Sequence, residues 1–119
     1  MEEMKAEQRA LSPIDASQIL TDPYTARILA ATSRIPKSPQ QLSGECGIPI
    51  AACYRRINYL EKLGFLECAE RPLTREGKRI RLYRCQIFNA KIFFEGGKYK
   101  ANFQYLDGRK RDFGGDWQG

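Results

Sequence analysis

The stretch Ile48-Pro-Ile-Ala-Ala-Cys-Tyr-Arg-Arg-Ile-Asn-Tyr-Leu-Glu-Lys-Leu-Gly64 decides how this chain folds. At about 100° per residue, Cys53, Ile57, Leu60 and Leu63 fall on one side of a helix running from about Pro49 to Leu63, with Ala52 and Tyr59 at its edge. Ala51, Tyr54, Arg55, Asn58 and Lys62 fall on the other side. The first face suits a core, and the second carries groups able to hydrogen-bond bases or phosphates. Gly64 can end the helix because glycine enters the left-handed region without a Cβ clash.

Upstream, three proline-led helix starts follow one another. Ser12-Pro13 precedes Ile14 to Leu20; Asp22-Pro23 precedes a segment whose Tyr24, Ile28 and Ala31 share a face; Ser38-Pro39 opens a short helix. The Ser or Asp oxygen can accept an orphan backbone N–H, and proline has no N–H to waste at the first helical position. Gln41 stands three residues after Ser38, the spacing of a capping box. This short helix runs out near Gly44 to Gly47, which predicts a turn into the helix that follows.

Downstream of Gly64 the apolar period changes from helical to alternating. Phe65 to Glu70 is expected as a strand, Arg71 to Lys78 as a loop turning at Glu76-Gly77, and Arg79 to Cys85 as the returning strand. Arg71, Arg75, Lys78, Arg79, Arg81 and Arg84 face the single acid Glu76, so this hairpin holds +5 of the chain's +6. Arg75, Lys78 and Arg79 flank its tip as candidate phosphate ligands.

A second hairpin turns at Gly96-Gly97, a pair that tolerates positive φ at both positions. Pairing Glu95 with Lys98 sets Phe94 opposite Tyr99, Ile92 opposite Ala101, Ala90 opposite Phe103 and Phe88 opposite Tyr105. The reverse face then pairs Phe93 with Lys100, Lys91 with Asn102 and Asn89 with Gln104. A one-residue slip would mix the apolar and polar faces. An isolated hairpin is at best marginally stable, so its aromatic face must pack on the domain core, a second subunit or a ligand. Core plus dimer contact is the reading preferred. From Asp107 onward periodicity stops, and a flexible basic, glycine-rich tail is expected over 107–119.

At 119 residues, 42% hydrophobic and 29% charged, the chain has room for one folded domain, expected over 1–106 with the hairpin at 87–106 included. Its first ten residues mix acids and bases without an apolar run, unlike a signal peptide, and no stretch approaches the ~20 apolar residues of a membrane span. A cytoplasmic location with no membrane partner follows as the expectation. Cys46, Cys53, Cys68 and Cys85 are then reduced thiols; they contain no C-x-x-C pair, there is no histidine, and no metal or other cofactor is expected. Catalysis is not expected either, because triad, metal-ligand and phosphate-cradling glycine motifs are all missing.

The order of elements suits duplex DNA: a short helix to cross the backbone, a turn, an amphipathic helix for the roughly 12 Å major groove, and a basic hairpin for the flank. The expected fold is therefore α+β, a winged helix-turn-helix of about four helices plus a wing, extended by the C-terminal antiparallel hairpin. The segments Ile19-Leu-Thr-Asp-Pro-Tyr-Thr-Ala-Arg-Ile-Leu29 and Ile48 to Gly64, with the wing Arg71 to Tyr83, resemble ArsR-type winged-helix transcriptional regulators. They are most similar to an archaeal branch with a Cys-Tyr-Arg-Arg-Ile recognition helix. The resemblance spans about Leu11 to Cys85 and implies a homodimer on operator DNA, often with an effector. Two family features are missing. The helix before the recognition helix has one cysteine instead of a metal-sensing pair, and strands around Gly96-Gly97 replace the usual C-terminal dimerising helix.

On this reading Arg55 can donate two parallel bonds to guanine, Tyr54 can reach a thymine methyl or a phosphate, and Ala51 permits close approach. Arg56, nearer the apolar side, is expected to pair with an acid or to reach a phosphate. Cys46, just past a helix end, is the thiol best placed to sense oxidants. The rival readings are a winged helix used as a protein-interaction module and a thiol- or metal-responsive sensor.

Overall fold

In a computed structural model, residues 11–113 are described. The fold is α+β, as the patterning predicts, but the chain divides into two compact units rather than one. Pro23–Gln86 forms a winged helix-turn-helix unit. The second unit joins the N-terminal helix to the C-terminal strands.

The winged unit contains α2 (Pro23–Ala31), α3 (Pro39–Cys46), α4 (Ile50–Leu63), β1 (Leu66–Glu70) and β2 (Leu82–Cys85). At α3 the Ser38 hydroxyl accepts the Gln41 N–H at 3.1 Å while the Gln41 side chain accepts the Ser38 N–H at 2.9 Å, completing the capping box. Gly47, with φ 66°, ends α3 in the left-handed conformation, and Gly64, with φ 82°, does the same for α4. Between them Pro49 is the N-cap of α4, without a side-chain cap bond.

The buried face of α4 is made of Ala52, Cys53, Ile57, Leu60 and Leu63. It meets Ile28 and Leu29 from α2, Leu42 from α3, and Phe65 and Leu66 beyond Gly64, all buried. Burying each large aliphatic or aromatic group contributes roughly 1.5–3 kcal/mol, so this cluster is what holds the three helices together. The wing sheet is anchored below by backbone bonds. Cys85 N–H donates to Thr32 C=O at 3.0 Å and Gln86 N–H to Phe65 C=O at 2.9 Å. Lys37 and Tyr83 exchange two backbone bonds, of 3.0 and 2.8 Å, so the loop before α3 forms a third rung that sequence patterning did not anticipate.

β1 and β2 pair antiparallel from Leu66 opposite Cys85 to Glu70 opposite Leu82, with an irregularity between Cys68 and Glu70. The returning strand thus begins at Leu82 and not at Arg79. Above it only a bridge between Leu73 and Arg79 continues the ladder, because the segment narrows into a tight tip.

The second unit contains α1 (Pro13–Thr21) and the sheet β3 (Ile87–Glu95), β4 (Lys98–Tyr105) and β5 (Lys110–Phe113), in the order β3-β4-β5. The hairpin register agrees with the expected one from Glu95–Lys98 down to Asn89–Gln104. It departs at the end: a bulge between Ile87 and Asn89 puts Ile87 opposite Tyr105 and turns Phe88 outward, 70% exposed. A bulge adds one residue to one strand, and everything beyond it changes face.

The expected tail is also corrected. Asp107-Gly108 makes a turn in which Asp107 accepts the Arg109 N–H at 2.9 Å, and β5 returns along β4 with Ala101 opposite Phe113. The cause is local turn chemistry plus one apolar anchor: Phe113 is buried with its ring edge-on to Phe103, centroids 5.0 Å apart. Residues 114–119 of the expected tail lie outside the described residues.

Candidate nucleic-acid interface

α4 presents its polar side outward along its whole length. Ala51, Tyr54, Arg55, Asn58 and Lys62 are all exposed. They recur at helical spacing, so the apolar packing that buries Cys53, Ile57 and Leu60 is what turns them to solvent. None of these five lies beneath another part of the fold, which a role in the core would require. Tyr54 is additionally held from α3: Gln40 Nε2 donates to its hydroxyl at 3.0 Å. This bond links the two helices on the outer surface and limits the directions the ring can take.

Arg56 stands apart from that set. Half-buried, its guanidinium carbon lies 5.3 Å over the ring of Tyr24, which also receives Arg27 at 5.9 Å. A cation over an aromatic face gains roughly 0.5–1 kcal/mol at partly exposed sites. Arg27 continues the link by donating to Cys46 C=O at 3.3 Å, which ties α2 to the end of α3 just before the turn. The sequence pattern points to an acid or a phosphate as a partner of Arg56 and does not by itself point to its contact with the Tyr24 ring. The available signal was Tyr24 itself, on the face of α2 that looks toward α4.

The wing tip is a compact turn. Thr74 N–H donates to Lys78 C=O at 2.7 Å, Gly77 N–H to Thr74 C=O at 3.0 Å, and Lys78 N–H to the Thr74 hydroxyl at 3.1 Å. Gly77 has φ 81°, so glycine is needed there. Arg75 and Lys78 in this turn are exposed. Arg79 is exposed too, but its Nη1 donates across the hairpin to Arg71 C=O at 3.0 Å, bracing the wing as well as charging it. Arg71 and Arg81 are exposed, whereas Arg84 is half-buried on β2 and its Nε is enclosed without a hydrogen-bond partner. The outward basic set is therefore Arg71, Arg75, Lys78, Arg79 and Arg81.

The cysteines are poorly arranged for sensing. Cys53 and Cys85 are buried, and burial, with Cys46 nearby as a smaller cause, raises the Cys53 thiol above its ordinary value. A raised thiol is less often the reactive thiolate. Cys46 is half-buried with its Sγ 3.8 Å from Arg27 C=O. Among the described residues no group of three or more His, Cys, Asp or Glu side chains converges to hold a metal, and no helix is long and apolar enough to cross a membrane.

Residues 20–69 match a family model described as a helix-turn-helix domain. The match covers α2, α3, α4 and most of β1, ending before the basic tip of the wing. No curated protein matches the chain.

Proposed function

We propose that the protein is a sequence-specific double-stranded DNA-binding transcriptional regulator of the ArsR type, working as a cytoplasmic homodimer and repressing by occupying promoter DNA. One observation carries the reading. The outer side of α4 and the wing beside it form a polar, basic surface that the unit's own core does not use, and it belongs to a helix-turn-helix.

The roles follow from length and reach. Ala51 to Lys62 is a run of twelve residues, about 16 Å of helix axis from end to end, too long for every side chain to meet base edges of a curved groove. The N-terminal residues of a recognition helix read bases. Ala51, Tyr54, Arg55 and Asn58 are therefore assigned to the major groove, with Arg55 forked onto a guanine. Lys62, at the far end, is assigned to a phosphate. Arg75 and Lys78 at the wing tip, with Arg79 behind them, take flanking phosphates, each neutralised phosphate adding about 0.9 to the salt slope.

Selection of bound duplexes from a random pool, followed by titration over salt concentration, tests this. Arg55→Ala is expected to lose about 1–3 kcal/mol of discrimination at one base pair. Arg75→Ala should weaken all duplexes alike and flatten the salt slope by about one unit. A chain that ignores duplex DNA at very low ionic strength, or an Arg55→Ala variant with unchanged preference, would overturn the reading.

A further inference from the structure

Among the described residues, the sheet of the second unit has an uncovered edge and an exposed apolar strip on the same strand. β3 is an outer strand of β3-β4-β5, nine residues long, and nothing among the described residues continues the ladder beyond it. On the inward-facing rows, Ala101, Phe103 and Tyr105 of β4 are buried, while Ile92 and Phe94 of β3 are 41% and 64% exposed. Long edge strands that are apolar and unprotected pair with other chains unless charge or a bulge blocks them. Here the bulge lies at one end only, near Phe88, and leaves Asn89 to Glu95 regular.

We propose that β3 pairs antiparallel with β3 of a second copy of this chain, about a two-fold axis at Phe93, to give a continuous six-stranded sheet. The register follows from the turn. Gly96 and Gly97, with φ 58° and 78°, form a type I′ turn that makes Glu95 and Lys98 a hydrogen-bonded pair. Alternation then points the backbone groups of Phe93, Lys91 and Asn89 toward β4, and those of Phe94, Ile92 and Ala90 toward the open edge. A two-fold pairing must match outward residues with outward residues, so the axis passes through a residue and not between two.

Three centres are available in the regular part of the strand. An axis at Lys91 sets two lysines directly opposite each other, which is unfavourable. An axis at Ile92 sets Lys91 opposite the partner subunit's Phe93 and leaves the charges unmatched. An axis at Phe93 sets Lys91 opposite the partner subunit's Glu95 and, by symmetry, Glu95 opposite the partner subunit's Lys91. It also sets Ile92 opposite the partner subunit's Phe94, joining the two exposed apolar strips. Only this register satisfies charge and apolar pairing together, and both Lys91 and Glu95 are exposed and available for it.

The proposal rests on the homodimer reading and deepens it; its test is oligomeric state, read on the full chain without DNA, so it is decided apart from duplex binding. Sedimentation across a concentration series is expected to show a monomer–dimer equilibrium. Lys91→Glu should shift it toward monomer by at least tenfold in dissociation constant. The double variant Lys91→Glu with Glu95→Lys should restore it, because the pair is only exchanged. Phe93→Cys should form an interchain disulfide on mild oxidation, since Cα atoms of a non-hydrogen-bonded pair lie about 4.5 Å apart. Phe94→Cys, facing Ile92 across the axis, should cross-link far less, and the natural cysteines supply the background. Far-ultraviolet circular dichroism checks that each variant keeps its strands. A chain that stays monomeric at high concentration, or a dimer indifferent to both the charge reversal and the Phe93→Cys cross-link, would overturn the proposal.

Discussion

The two units solve the same problem, an amphipathic sheet that needs a cover, in opposite ways. In the winged unit α2 and α3 close over the apolar row of α4, and the surface left outside is strongly basic, with Ile35, Ile50, Leu73 and Ile80 as exposed apolar side chains among its charges. Residues 23–86 hold 12 basic and 5 acidic side chains, a net +7. In the other unit, among the described residues, one helix packs on β4, and Phe88, Ile92 and Phe94 of β3 stay exposed beside Lys91 and Glu95; the unit's residues hold 8 basic and 9 acidic side chains, a net −1. All of the chain's positive excess is thus in the winged unit. A net charge read from the whole composition understates how basic one part is and hides that the other is nearly neutral. On the readings proposed above, the difference separates two kinds of partner: a polyanion for the first surface and the β3 strand of a second copy for the second.

The largest expected effect tests whether burial differs between the units as described. Phe65 is fully buried beneath α4, whereas Phe88, an aromatic of the same volume, is 70% exposed at the bulge. Phe65→Ala is expected to cost 3–5 kcal/mol through lost burial and the cavity left behind. Phe88→Ala should stay within about 0.5 kcal/mol, as surface substitutions do. Chemical denaturation of both variants measures this. Similar losses would mean that the bulge does not turn Phe88 outward and that the simpler alternating register holds.

A smaller effect of two opposite signs tests the turn that aims α4. Gly47 ends α3 at φ 66° and Gly44 lies inside that helix; a Cβ at either would meet nothing within 4 Å. Sterics with neighbours are absent at both, so only backbone conformation separates them. Gly47→Ala should cost about 1–2 kcal/mol, because an L side chain strains in the left-handed region. Gly44→Ala should stabilise by about 0.4–1 kcal/mol by stiffening the unfolded chain at a position already helical. Thermal unfolding of the pair reads both signs, and a stabilising Gly47→Ala would break the account of the turn.

The winged unit was the more legible of the two, and the reason is physical. Helical period, proline at the first turn, capping serines and glycine at the C-cap are local signals, and they place α3, the turn and the buried row of α4 without tertiary knowledge. The Gly96-Gly97 turn likewise sets the β3–β4 register through Asn89. What escaped depends on contacts that leave little trace in a pattern. The bulge at Phe88 needs only one extra residue. The Lys37–Tyr83 rung is made of backbone groups that any residue carries. β5 is four residues long, three of them charged, and only Phe113 marks it as more than a tail. At the interface, the outward face of α4 was readable from spacing, but the stacking of Arg56 on Tyr24 joins two helices and was not.

The smallest expected effect concerns the turn that makes β5 a strand. The Asp107 carboxylate accepts the Arg109 backbone N–H at 2.9 Å and Arg109 Nε at 2.7 Å, and these bonds hold its pKa below the ordinary carboxylate value. The backbone bond is the largest cause; desolvation, next in size, opposes it, and the Arg109 side chain adds to the lowering. A carboxyl group whose pKa is depressed by folding stabilises the fold above its unfolded pKa, near 3.9, and loses that contribution as pH falls through the folded value. Asp107→Asn should therefore lower the melting temperature slightly at neutral pH, with the gap to the natural chain closing in the acid range. The turn is solvent-exposed, where screening keeps such bonds weak, so the gap should shrink further in high salt. Melting curves from pH 2 to pH 7 give the comparison. A gap that widens with acid would mean the carboxylate is not what holds the β4–β5 turn, and the burial of Phe113 would have to hold the fifth strand alone.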